Sequence, residues 1–365
     1  MKIAVDCRMF GASGIGTYIK ALVPFFLAKH ECVLFGNTHK LAPYESNAEI
    51  CECAVKPFSL KELLAFPRAL RKKINSCDIY YTPYCNIPCG ITIPIFSTIH
   101  DIVFLDVQGL ASPGGVAARK FFYQRAINKS RALFTVSQFS ASRIRKKLNC
   151  KNLPIIVTYG ALSQHFSSKH SHNVQKNAQI LYVGNIKKHK GLHILLAAFK
   201  KAQGRGLAAK LIIVGSTDNF RTSDMEIMQK ITELPSNSVQ FTGHISDQEL
   251  RKLYMQSHVL VQPSLYEGFG LPPLEAMSLG THALLSDIPV FKEIYGNFPV
   301  TFFESGNDDD LAIKMIACMN DKTPLPPLPA TYTWKKSSDI ILAAFSLYNS
   351  KQPVLKPMFP NRLNT

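Results

Sequence analysis

Ser264-Leu265-Tyr266-Glu267-Gly268-Phe269-Gly270-Leu271-Pro272-Pro273-Leu274-Glu275-Ala276-Met277 decides how this chain is read. Just upstream, Val259–Gln262 reads as the end of a buried strand, which Pro263 and Ser264 break. Gly268 and Gly270 permit a sharp loop whose backbone can lie against a ligand with no Cβ in the way. Pro272 and Pro273 suit the first turn of a helix, where a missing N–H costs nothing, and Gly280 then ends that helix. Strand, glycine loop and helix N-terminus in this order make an anion site, because free N–H groups and the helix dipole point at the loop. Glu267 stands in the loop and Glu275 one turn into the helix, so both can reach hydroxyls of a ligand whose phosphate sits between them. A phosphate flanked by two polyol groups describes a nucleotide sugar.

Outward from this motif, strand-like runs alternate with helical ones. Residues 2–6, Val33–Gly36, Ile79–Thr82, Ile95–Ile99, Leu133–Val136 and Ile155–Tyr159 read as strands, with helices at Thr17–Lys29, Gly115–Arg131 and Ala141–Leu148. Gly11, Gly14 and Gly16 make a glycine loop after the first strand. A polar stretch from Ser163 to Asn177 reads as a linker. The pattern restarts with strand Ile180–Val183, helix Gly191–Gln203, strand Leu211–Val214, helix Ser223–Leu234, strand Val239–Phe241 and helix Asp247–Gln256 before Val259–Gln262. This alternation predicts an α/β fold of two Rossmann-like domains, residues 1–162 and 175–330, whose parallel sheets face a central cleft. A proline-rich loop at 323–333 precedes a last helix from about Lys335 to Tyr348.

With its surroundings, the motif resembles the retaining glycosyltransferases of family 4, which have the GT-B architecture. The likeness takes in E-G-F-G-L-P-x-L-E-A-M at 267–277, Val239–Asp247, Ser286–Ile294, Leu181–Gly191 and Thr135–Ser140, in family order. It implies an N-terminal acceptor domain, joined by the C-terminal helix 335–365 crossing back to it, and a C-terminal donor domain. It also implies that Lys190 binds the donor phosphate, that Glu275 takes the ribose hydroxyls, and that Glu267 holds sugar hydroxyls and phosphate with the backbone of Gly268, Phe269, Gly270 and Leu271. His100 would lie near the donor sugar, its ring oriented by Asp101, with Gly14 and Gly16 facing the diphosphate. On the residues alone, His100 reads by default as a hydrogen-bonded structural histidine, and the glycine loop as a weak dinucleotide-like signal; the resemblance is what favours the site role for His100. The catalytic set is then Glu267, His100 and Lys190. Retaining enzymes of this kind imply front-face displacement, in which the leaving phosphate itself deprotonates the acceptor.

Two positions depart from the family pattern. Asn185 stands where an arginine is usual, with Lys187 either supplying the missing charge or solvated at the surface. Gly184-Asn185-x-Lys187-x-His189-Lys190 is similar to the mannosyl- and deoxysugar-transferase branch, which favours GDP-mannose as donor. His282 replaces a proline and has no functional account at this level, and Glu293 is expected outside the site. These departures motivate a competing reading, a non-catalytic nucleotide-sugar-binding or scaffold homologue of the same fold. No metal is required, since Asp308-Asp309-Asp310 reads as charge at a helix N-terminus.

Composition bounds the rest. At 365 residues, 46% apolar and 18% charged, the chain is long for one core and fits two folded domains. Without 18 uninterrupted apolar residues, and with Met1–Asp6 reading as a strand rather than a leader, a cytoplasmic protein is expected, its nine cysteines free thiols. Residues 1–165 hold 21 Lys and Arg against 9 Asp and Glu, and the remainder 21 against 16, so the positive excess belongs to the N-terminal half. It clusters at Arg68–Lys73, Arg119–Arg131 and Arg143–Lys147 with apolar residues at helical spacing, which fits either a solvated face or one that meets anionic lipid or acceptor. The expected partners are a nucleotide sugar, a glycan or lipid-linked acceptor of polysaccharide, lipopolysaccharide or glycolipid type, and an anionic membrane surface at the inner face. No nucleic-acid motif is present.

Overall fold

Ile-Ala-Val-Asp at 3–6 is buried residue after residue, as a strand covered on both faces must be. In the computed structural model, which describes residues 1–11, 13–166, 175–215 and 230–349, this strand is central to a seven-stranded sheet. Its strands are β1 (Lys2–Asp6), β2 (Glu31–Gly36), β3 (Glu49–Glu52), β4 (Ile79–Thr82), β5 (Ile95–Thr98), β6 (Ser130–Thr135) and β7 (Ile155–Val157). A second, six-stranded sheet holds β8 (Gln179–Val183), β9 (Lys210–Val214), β10 (Val239–Gly243), β11 (Val259–Gln262), β12 (His282–Ser286) and β13 (Val300–Phe303). Every pairing in both sheets is parallel.

The strand orders are β3-β2-β1-β4-β5-β6-β7 and β10-β9-β8-β11-β12-β13. Each sheet therefore reverses direction once, between β1 and β4 and between β8 and β11. Loops leaving such a pair diverge to opposite faces and open a crevice at the carboxyl ends of the strands. In the second sheet those loops carry Lys190 and Glu267.

Three expectations change. The first helix spans Ser13–Leu27, so Gly14 and Gly16 lie in its first turn rather than in a loop. A Cβ on Gly16 would stand 2.7 Å from the Gly11 nitrogen, and its absence lets the turn fold against the helix start. The helix after Lys190 begins at Leu192, with Gly191 as its cap. Strand β3 and the short helices Leu60–Leu64 and Arg68–Asn75 are additions. The helix expected at Ser223–Leu234, much of the linker Ser163–Asn177 and residues 350–365 fall largely outside the described residues.

Helix Trp334–Asn349 packs on the N-terminal sheet through Phe345, whose ring lies 4.8 Å from Phe96 and 5.3 Å from Tyr81. One buried apolar cluster runs from this helix and β1 to Phe269, Phe291 and Tyr295 of the C-terminal domain. The domains thus share a core.

Gly191 fixes the two site loops against each other. Its φ is 71°, and a Cβ there would stand 1.9 Å from the Pro263 carbonyl oxygen, so both backbone conformation and space demand glycine. Gly191→Ala is expected to cost about 3 kcal/mol or more in urea unfolding, since it combines left-handed strain with a backbone clash.

Candidate functional site

The β8 and β11 loops are tied by the Leu265 N–H, which donates to the His189 carbonyl at 2.8 Å. That contact sets Lys190 beside Glu267. Lys190 Nζ lies 2.7 Å from both carboxylate oxygens, and the Ser264 hydroxyl donates to Oε1 at 2.9 Å. Glu267 is buried, so its charge is offset by the ammonium rather than by water. His189 is buried under the same turn, and burial followed by the nearby Lys190 lowers its pKa to about 4. It is therefore neutral at neutral pH.

The glycine loop lies directly on the opposite domain. A Cβ on Gly268 would come within 3.2 Å of the Asp101 side chain and the His100 carbonyl. The Ser137 hydroxyl donates to the Gly268 carbonyl at 2.7 Å, and the Tyr266 hydroxyl to Asp106 at 3.0 Å. Gly270, at φ 83°, has the Phe291 ring 2.6 Å from where a Cβ would sit, and its carbonyl accepts from the Tyr295 hydroxyl. Helix Pro289–Tyr295 thus clamps the loop, and its Glu293 accepts the N–H groups of Gln138 and Phe139, each at 2.7 Å, from the facing domain.

His100 Nε2 lies 2.9 Å from the Pro83 carbonyl. A carbonyl can only accept, so Nε2 carries the proton and Nδ1 is left as an acceptor. Burial lowers the pKa of the ring to about 4, which keeps it neutral. Asp101 does not orient this ring. Its Oδ1 accepts from the Val103 N–H at 3.0 Å, and its charge is coupled to Lys190, Glu267 and Lys187 across the cleft. Burial raises its pKa, opposed by the Val103 hydrogen bond and Lys190.

The cleft holds further cations. Arg119 lies 3.8 Å from the centroid of the Phe104 ring, and Lys187 Nζ 5.6 Å from the same ring. Lys187 is exposed in area, yet enough protein surrounds its ammonium for desolvation, then Lys190 and Arg119, to lower its pKa. Asn185 uses its backbone carbonyl to accept from the Lys187 N–H at 3.0 Å, and its side chain is exposed. Sequence reasoning placed Arg119 on a basic helix face, and Glu293 outside the site. Nothing local marks Glu293, because its partners lie on the facing domain, whereas Arg119 is placed by Phe104 of its own domain. Arg143, read as part of a basic face, is committed to Asp106 at 2.7 Å within that seam.

Glu275 stands apart from the Lys190–Glu267 pair. It is buried one turn into helix Pro272–Ser278 and accepts from the Tyr254 hydroxyl at 2.8 Å. Gly14 has open space where a Cβ would sit, whereas Gly16 is occupied by its contact with Gly11. Among the described residues, no three His, Cys, Asp or Glu side chains gather closely enough to hold a metal ion.

Two parallel α/β domains facing across a cleft define the GT-B fold, and residues 163–336, a little under half of the chain, match the family model described as Glycosyl transferases group 1. O-antigen chain mannosyltransferase RfbU of Salmonella typhimurium is 32% identical over 180 residues, 49% of this chain and 48% of the relative. GDP-mannose:cellobiosyl-diphosphopolyprenol alpha-mannosyltransferase of Xanthomonas oryzae is 37% identical over 113 residues, 31% of this chain and 29% of the relative. The matched stretches thus span about half the length of these relatives or less. Among solved structures, Anabaena HepE in complex with UDP and glucose shares the fold at a TM-score of 0.61 and 18% identity, over 95% of both chains.

Burial pushes the Glu275 pKa up to about 7 from the ordinary 4.5, with the Tyr254 hydrogen bond pulling the other way. The folded state therefore binds this proton more tightly than the unfolded chain. Stability falls as pH rises from about 4.5 to 7, where the unfolded carboxyl has ionised and the folded one has not, and levels off above. Glu275→Gln should remove this component. The difference between the two unfolding free-energy profiles across that window is expected to be on the order of 3 kcal/mol.

Proposed function

We propose that this chain is a retaining glycosyltransferase of family 4 that moves a sugar from a nucleotide diphosphate, with GDP-mannose favoured, to a polysaccharide, lipopolysaccharide or glycolipid acceptor. The observation that carries the reading is the Lys190–Glu267 pair at the β8/β11 reversal, pressed against His100 and Asp101 of the facing domain. A group that binds diphosphate must offer cations on one side and hydroxyl acceptors beside them. Lys190, Lys187 and Arg119 are the cations; Glu267, the His100 Nδ1 and Glu275 are the acceptors. The mannosyltransferase names of the two relatives, one of which prints a GDP-mannose donor, support the choice of sugar.

In this mechanism the bond between the anomeric carbon and the diphosphate oxygen breaks while the acceptor oxygen approaches the same face. The released phosphate oxygen takes the acceptor proton, so the protein supplies position and charge rather than a proton relay. Lys190 exchanges its hold on Glu267 for the developing phosphate charge, and Glu267 is freed for sugar hydroxyls. A neutral His100 accepts a sugar hydroxyl at Nδ1 without adding charge.

The N-terminal domain offers a surface for a lipid-borne acceptor. Leu60 is 74% exposed, Leu64 77% and Phe121 54%. Phe58, in the turn just before helix Leu60–Leu64, meets Phe122 of helix Pro113–Lys129 at 4.7 Å, and Lys61, Arg68, Lys72 and Lys120 are exposed on the same elements or next to them. Apolar side chains ringed by cations suit the headgroup region of an anionic bilayer. Among the described residues no helix is long and apolar enough to cross a membrane.

Five measurements test this reading. In a thermal-shift panel of GDP-, UDP-, dTDP- and ADP-sugars, GDP-mannose is expected to raise Tm most, and proton NMR of the product should show the donor's anomeric configuration kept. Lys190→Ala and Glu267→Ala should each lower kcat/KM by about 100- to 1,000-fold. Saturable donor binding without turnover would support the non-catalytic reading instead. Glu275 must be ionised to accept two ribose hydroxyls, so nucleotide affinity should rise about tenfold from pH 6 to pH 8 and lose that slope in Glu275→Gln. Co-sedimentation with phosphatidylglycerol vesicles should drop at least about tenfold in Leu60→Asp/Leu64→Asp, with little binding to phosphatidylcholine.

A further inference from the structure

Away from Lys190 and Glu267, at the amino ends of β8, β11 and β12, the fold leaves a cavity of about 1320 Å³. Its wall includes Leu162 and residues 176–178, where the chain enters the C-terminal domain, and residues 321–328, where it leaves. Both crossings between the domains therefore border it.

The charge around this cavity is one-sided. Lys176, Arg205, Lys322, His258 and His282 line it, and Asp321 is the single acid among the lining residues. Arg205 is engaged by Asp309 at 3.2 Å. Asp321 spends its Oδ1 on the Thr323 N–H at 2.8 Å. Among the described residues the two lysines meet neutral partners: Lys176 Nζ meets the Thr281 hydroxyl at 2.8 Å, and Lys322 Nζ the Met319 carbonyl at 3.0 Å. Burial alone lowers the Lys176 pKa to about 8, a desolvated ammonium with no carboxylate opposing the shift.

The two imidazoles stack, with centroids 6.4 Å apart and planes within 9°. His282 Nε2 lies 3.1 Å from the Thr323 carbonyl. His258 Nε2 has both the Asp321 carbonyl at 3.0 Å and the Lys322 ammonium at 3.3 Å in reach. One ring nitrogen can donate to the carbonyl or accept from the ammonium, never both, so one of these contacts always goes unmade. Asp321, His258 and Lys176 face the His282 ring, Lys322 faces His258, and among the described lining residues no further acid offsets them. A tetrahedral dianion meets all of these demands at once, because its several oxygens accept from donors that converge from separate strand starts.

We propose that this cavity is a second anion site, which binds a phosphate group between Lys176, Lys322, His258 and His282, either free or as a small phosphate ester. It also gives the otherwise unexplained histidine at 282 a role. An anion held there bridges Lys176 on the incoming crossing to Lys322 on the outgoing one, and so bears on how the two domains sit.

The test is histidine C–H NMR on the full chain, with the signals of His258 and His282 assigned through His258→Gln and His282→Gln. Inorganic phosphate and glycerol 3-phosphate are titrated in parallel at constant ionic strength, and the tighter of the two identifies the source. Both signals are expected to shift saturably, to do so unchanged in a Lys190→Met background that disables the cleft, and to need at least tenfold more ligand in Lys176→Met. Lys176→Arg should retain most of the affinity, and thermal unfolding of each variant separates loss of the site from loss of the fold. The proposal fails if no saturable shift appears, if the shift is the same in a folded Lys176→Met, or if Lys190→Met abolishes it.

Discussion

At Gly268 the loop that carries Glu267 lies against the opposite lip of the cleft with no room for a side chain. A Cβ would press within 3.2 Å of Asp101 and the His100 carbonyl, while the Gly268 carbonyl takes the Ser137 hydroxyl at 2.7 Å. That single approach decides which groups of the N-terminal domain share an environment with the Lys190–Glu267 pair. It puts the Asp101 carboxyl within electrostatic reach of Lys190, and it sets the neutral His100 ring beside the loop that would hold a sugar.

The position of the charges follows from topology more than from local sequence. Where strand order reverses between β8 and β11, the two outgoing loops separate, and backbone polar groups at that crevice have no sheet partner. A buried lysine–glutamate pair is a costly tenant of such a place unless its geometry is good, and two 2.7 Å contacts plus a serine hydroxyl supply that geometry. In the proposed reaction the same pair would part: a diphosphate would take the ammonium, and the carboxylate would turn to sugar hydroxyls.

Much of this was legible in the chain before any coordinates. The strand–glycine–helix order around Glu267, and the lysine before Gly191, depend on neighbours a few residues apart, and pattern reading reaches that far. Gly14 and Gly16 were misread as loop because glycine lowers helix propensity, whereas here Gly16 is needed for the turn at Gly11 to pack on the helix start. Asp101 was assigned to its sequence neighbour His100, but it answers to Lys190 and Glu267 from the other domain. Glu293, which caps the helix at Gln138 from 155 residues away, carries no local signature at all. Contacts of that separation are decided by how the domains meet, and a residue's type and spacing do not encode it.

The seam is built from two kinds of chemistry. At the site the domains meet through hydrogen bonds and ion pairs: Ser137 to Gly268, Tyr266 to Asp106, and Glu293 to two backbone N–H groups. Each is worth roughly 1 to 3 kcal/mol at most, because water can replace the partner when the contact opens. Beside them, Phe269, Phe291, Tyr295 and the rings around Phe345 belong to one buried apolar cluster, which water cannot replace without the full cost of exposing that surface. Helix Pro289–Tyr295 sits on both sides of that division: Phe291 and Tyr295 anchor it in the cluster, while Glu293 reaches across the seam. One turn of this helix thus links the backbone at Gln138, through Glu293, to Gly270, through Phe291 and Tyr295.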